Sequence, residues 1–98
     1  MQFIISAYDG ENMLEKRMAV RPQHLANLAK VDGKILCAGG LLDDEGKMKG
    51  SVLVMEFEDR DKLNQYLDSE PYITERVWEK VGVENMNVVI LNGEKTGK

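Results

Sequence analysis

The sequence predicts an α+β domain of ferredoxin-like topology, βαββαβ, and three observations carry that prediction. Short β-branched or aromatic runs alternate with segments whose apolar residues recur at helical spacing. The stretch between the second and third runs is polar and glycine-bearing, so it reads as a hairpin rather than a helical crossover. The strand Ser51–Phe57 is apolar on both alternating sets, Leu53, Met55, Phe57 and Val52, Val54, which calls for cover on both faces of the sheet. Helices supply one cover; in a small antiparallel sheet a second subunit is the natural source of the other.

Each element follows in order. Phe3-Ile4-Ile5-Ser6-Ala7-Tyr8 forms the first strand, closed by Asp9-Gly10. From about Met13 to Val31, Leu14, Met18, Leu25, Leu28 and Ala29 give helical periodicity, with Pro22 predicting a kink or a division into two helices. Asp32-Gly33 ends that segment, and Lys34 to Ala38 forms the second strand, with Cys37 inside an apolar run that reads as buried. Leu41 to Lys49 is the hairpin loop, Gly46 near its apex. Asp59 caps a helix carrying Leu63, Tyr66 and Leu67, which Pro71 ends or redirects. A shorter helical piece spans Ile73 to Lys80, Gly82 breaks it, and Val83 to Leu91 forms the last strand. One domain is expected over residues 1–91, followed by a flexible polar tail over 92–98.

The 98 residues carry 13 Lys and Arg against 17 Asp and Glu, a net charge of −4. That balance, with 6% aromatic residues, disfavours nucleic acid and anionic membrane as partners. One cysteine excludes an internal disulfide framework and fits a reducing compartment. The N-terminus lacks a basic leader and no apolar run approaches the ~20 residues of a membrane span, so cytoplasmic localisation is expected. One His and one Cys argue against a protein-built metal site, and no Gly-x-Gly-x-x-Gly or Walker-type loop follows a strand, so no cofactor is expected.

Two clusters can carry chemistry. On a helical wheel Arg17, Arg21, His24 and Leu28 share one side, with Leu14, Met18 and Leu25 extending the apolar stripe. In one reading His24 sits on a helix edge with snorkelling arginines. In the other the trio lines a cavity between helix and sheet, where an imidazole exchanges protons and a guanidinium holds a carboxylate or enolate. The second cluster is Ser69-Glu70-Pro71-Tyr72. Glu70 is either a solvated helix-end residue or a carboxylate with another partner, since a negative charge at a helix C-terminus is unfavourable. Tyr72 reads as a half-buried packing residue.

These residues bear a family resemblance. Arg21-Pro22-x-His24-Leu25, Ala38-Gly39-Gly40-Leu41-Leu42-Asp43-Asp44-x-Gly46, Gly50-Ser51-x-Leu53-Val54-x-Glu56 and Glu70-Pro71-Tyr72, followed by Val77 and Val81, resemble the YCII-related (YciI-like) family. The resemblance spans about residues 2 to 91. It implies a dimeric α+β barrel, a homodimer of ferredoxin-like protomers packed sheet to sheet. It also implies a histidine–aspartate pair in a cleft beside the sheet. His24 matches the histidine; Glu70 stands where the family has the aspartate of an Asp-Pro-Tyr or Asp-Pro-Phe motif, one methylene longer. Ser51 matches a recurrent serine and either binds a ligand or caps a strand end.

The resulting expectation is a small cofactor-independent lyase or isomerase. His24 is its base, Glu70 the orienter, and Arg21, Arg17, Ser51 and Tyr72 contact a small anionic or aromatic molecule. The alternative is a non-catalytic small-ligand or protein-interaction module using the same cleft. A cofactor-free oxygenase similar to other dimeric barrels is a third reading.

Overall fold

Alternation along the strands determines which side of the sheet the helices cover. In the computed structural model, which describes residues 1–96, Phe3, Ile5 and Ala7 of β1 (Gln2–Asp9) are fully buried while Ile4 and Ser6 between them face the other way. β1 is central. It pairs antiparallel with β3 (Met48–Glu56), Ile5 opposite Leu53, and with β4 (Trp78–Met86), Ile5 opposite Val83; β2 (Lys34–Leu42) completes the order β2-β3-β1-β4. With α1 (Leu14–Ala29) between β1 and β2, and α2 (Arg60–Ser69) and α3 (Pro71–Thr74) between β3 and β4, this is the ferredoxin-like arrangement. The core joins Phe3, Ile5, Leu53, Met55 and Phe57 of the sheet side to Leu63, Tyr66, Tyr72 and Val77. Each large side chain buried there contributes about 1.5–3 kcal/mol. Among the described residues no helix is long and apolar enough to cross a membrane.

Several expectations are corrected. α1 runs through Pro22 as one helix. Arg17, Val20, His24 and Leu28 bury one side of it on both sides of the proline and hold it together where a backbone bond is missing. That buried side excludes Leu14, Met18 and Leu25, which are exposed, so the stripe beside the sheet is more polar than periodicity suggested. Cys37 is exposed rather than buried. It lies opposite Val54, on the sheet face away from the helices. The hairpin is tighter than expected, with β2 extending to Leu42 and β3 beginning at Met48 around Gly46 at φ 82°.

The helical piece beginning near Ile73 stops at Thr74, because Arg76 adopts φ 61° and Val77 accepts a bond from the Gly10 N–H. The last long strand accordingly runs from Trp78 to Met86, with Gly82 inside it opposite Ser6. Pairing along the whole of β1 outweighs the local glycine signal. Within the segment expected as a polar tail, β5 (Ile90–Leu91) and β6 (Glu94–Lys95) pair about Asn92-Gly93, both at positive φ as a tight hairpin turn requires. Gly97 and Lys98 of the expected tail lie outside the described residues.

Candidate functional site

Local sequence places the carboxylate. Pro71 disfavours helical geometry in the residue before it, so Glu70 is extended at φ −68°, ψ 117°, ending α2 and capping α3. That kink turns the Glu70 side chain inward, where it is fully buried. Three groups meet its two oxygens: His24 Nδ1 lies 2.5 Å from Oε1, the Tyr72 backbone N–H donates to Oε1 at 3.1 Å, and the Tyr66 hydroxyl donates to Oε2 at 2.5 Å. Burial of a carboxylate is tolerable only when its lone pairs are satisfied in this way. Glu70 is therefore neither solvated nor unpartnered. The extra methylene relative to an aspartate does not keep it from the imidazole.

His24 reaches this carboxylate from the third turn of α1 and is 8% exposed, which removes the helix-edge reading. Its ring stacks on Tyr72, centroids 4.1 Å apart and 18° from parallel, and meets the edge of Trp78 at 6.2 Å. With Nδ1 committed to Glu70, Nε2 is the nitrogen left for another partner. Tyr72 is buried, not half-buried. Desolvation pushes its phenol up, against the opposite pull of Arg17 and Arg21.

Arg17 does not snorkel. It is 3% exposed, its Nη1 donates to both oxygens of Asp9 at 2.8 and 3.1 Å, and its Nη2 donates to Ser51 Oγ at 2.6 Å. Its guanidinium carbon lies 4.7 Å from the centre of the Tyr72 ring, and its Nε is buried without a partner. Arg17 and Ser51 thus bind each other. Arg21, exposed on the next turn, has no ion pair among the described residues.

These side chains share a cavity of about 120 Å³ between α1 and the sheet. For comparison, an engineered apolar cavity of roughly 150 Å³ accepts benzene. Arg17, Arg21, His24, Ser51 and Tyr72 give it a polar side; Leu25, Leu28, Ala38, Met48 and Leu53 give it an apolar one. All six residues singled out in the sequence are brought together, five at the cavity wall and Glu70 directly behind His24. Two contributors escaped sequence reasoning. Tyr66 lies four residues before Glu70 on the same side of α2, a helical spacing that could have shown it. Asp9 carries no local signal and meets Arg17 only through the fold.

A buried His–carboxylate pair beside a small, partly polar cavity on a ferredoxin-like sheet defines an α+β domain with a candidate site between helix and sheet. The chain belongs to the YCII family, its sequence matching the YCII-related domain over residues 1–87. It is 36% identical to protein YciI of Escherichia coli O6:H1 over 92 residues, 86% of this chain and 94% of that protein. The 5-chloro-2-hydroxyhydroquinone dehydrochlorinase (TftG) of Burkholderia phenoliruptrix AC1100, solved with 2,5-dihydroxybenzoquinone, superposes with TM-score 0.80 at 28% identity, covering 89% of this chain and 94% of that one. An antibiotic biosynthesis monooxygenase shares the fold alone, at TM-score 0.61 and 13% identity over 90% of this chain and 97% of that one.

Proposed function

We propose that this protein is a cofactor-independent enzyme of lyase or isomerase type acting on a small anionic or aromatic molecule, with His24 as general base and Glu70 orienting it. The observation that carries the reading is the 2.5 Å contact between His24 Nδ1 and Glu70 Oε1 beside the cavity. In the working state Glu70 accepts the Nδ1 proton, fixes the tautomer and stabilises the imidazolium that forms when Nε2 takes a proton from the substrate. Arg21 supplies a free positive charge for an ionised oxygen. Arg17, paired with Asp9 and bonded to Ser51, orders the wall beside Tyr72 rather than supplying a second free charge. Proton abstraction next to a carbonyl, followed by isomerisation or loss of a leaving group, suits this set. The dehydrochlorinase likeness supports the elimination branch.

The apolar outward row of the sheet supports assembly as a homodimer through that face, and the single free cysteine favours a reducing, cytoplasmic setting. The direct test is chloride release from 5-chloro-2-hydroxyhydroquinone, together with hydrogen–deuterium exchange on a panel of small enolisable acids. Turnover is expected, falling about 10²–10⁴-fold in His24→Asn. Binding without turnover would favour a ligand-binding module that uses the same cavity.

A further inference from the structure

Glu70 carries more hydrogen bonds than orienting a histidine requires. Its Oε1 already receives His24 Nδ1 and the Tyr72 N–H, and its Oε2 receives a buried tyrosine hydroxyl from α2. The Tyr72 N–H and the Tyr66 hydroxyl put a donor on each oxygen, as suits a carboxylate; a carboxylic acid would have to use Oε1 and find its acceptor in a bare His24 Nδ1. We propose that Tyr66 is a positioning residue whose hydroxyl, by holding Glu70 Oε2, keeps the shared proton on His24 Nδ1 and so makes Nε2 the nitrogen that opens and closes to protons.

Proton bookkeeping shows what Tyr66 decides. With one proton on the pair, the ring holds it at Nδ1 and Nε2 is bare, the form that acts as a base. With two, the choice is between imidazolium facing carboxylate and Nε2–H imidazole facing carboxylic acid. In the first form Nε2 releases its proton to restore the base. In the second, the proton that Glu70 has taken must return to Nδ1 as well. Donation from Tyr66 favours the first, because it stabilises the anion and offers nothing to a protonated Oε2. The Tyr66 hydroxyl donates to Oε2 at 2.5 Å, and burial and the neighbouring carboxylate push its phenol up, which favours the donor form. Arg17, over the Tyr72 ring, is already held by Asp9, and among the described residues the Tyr66 hydroxyl is the only donor on Oε2.

This inference rests on His24 being the base, and the experiment separates the two. In ¹⁵N-histidine-labelled wild type, Nδ1 is expected to show a protonated, pyrrole-like resonance at every pH, while Nε2 alone changes between protonated and bare. In Tyr66→Phe, Nδ1 should acquire bare, pyridine-like character as the pH is lowered. Nδ1 unchanged in a folded Tyr66→Phe overturns the role of Tyr66 and leaves the functional reading standing. A bare Nδ1 in wild type overturns both. Should Tyr66→Phe not fold, the wild type still decides: a tyrosine hydroxyl proton slow enough to observe, with a cross-peak to Glu70, is required, and its absence overturns the proposal.

Discussion

Tyr66 matters to stability as well as to the site, and its titration gives the sign. Its phenol is 3% exposed and held by Glu70, and burial first, then the charge and hydrogen bond of Glu70, raise its pKa. An unfolded tyrosine loses its proton near pH ~10. Below that value both states are protonated and the contribution is fully present. Above it the folded chain keeps a proton the unfolded chain has released, so stability falls as pH rises. Tyr72 adds a shift in the same direction. Urea unfolding midpoints of wild type are therefore expected to decline from about pH 10 upward. In Tyr66→Phe, lower throughout because Oε2 loses its donor, the decline should be shallower. Parallel declines would show that Tyr66 is not what titrates. That His24, Glu70, Arg21 and Tyr72 lie together was legible because motif and spacing announced them. The burial of His24, Glu70 and Tyr72 was not, since it depends on which turn of α1 meets α3, a tertiary choice that a helical wheel drawn through Pro22 cannot make.

At the scale of elements, two devices build the site. One is the Glu70-Pro71 corner, whose pre-proline geometry turns a carboxylate inward. The other is β2, whose helix-facing positions beside the cavity are Ala38, opposite Leu53, and Gly40, opposite Ser51. Nothing in the backbone demands glycine at 40. Its φ is ordinary, and an added Cβ would meet only Met48, at 3.4 Å. The missing side chain is cavity space. On the function proposed above, Gly40→Val should keep the thermal midpoint within a few degrees while weakening small-molecule binding by about tenfold or more, a loss of ~1.4 kcal/mol, read by calorimetry with the dehydrochlorinase's 2,5-dihydroxybenzoquinone as the probe. Unaltered affinity would place the ligand elsewhere. Strand and helix order were legible because period-2 and helical patterns are strong over these lengths. The stretch from Ile73 to Leu91 was misread because Val77 and Trp78 fit either pattern, and only pairing with β1 decides between them.

The whole molecule leaves one sheet face without helices. Ile4, Val52 and Val54 line it, Val54 already buried within one chain, and Cys37 stands exposed beside them. The double apolar alternation of Ser51–Phe57 announced this face, whereas exposure of Cys37 was hidden, because an apolar run cannot say which of its two faces the helices take. A homodimer through this face predicts a light-scattering mass twice the 11.1 kDa of the chain. It further predicts that Val54→Asp lowers the mass to one chain by burying unpaired charge in the interface. A single-chain mass for wild type at micromolar concentration would contradict the dimer.

Trp78 is the chain's one tryptophan, and its indole meets the edge of His24 and tilts against Tyr72. All indole emission from the protein therefore originates beside the His24 imidazole. A protonated imidazole at that distance drains an excited indole far more effectively than a neutral one. The molecule carries its own lamp there: with no label attached, its emission reports on the surroundings of the His24 and Tyr72 rings.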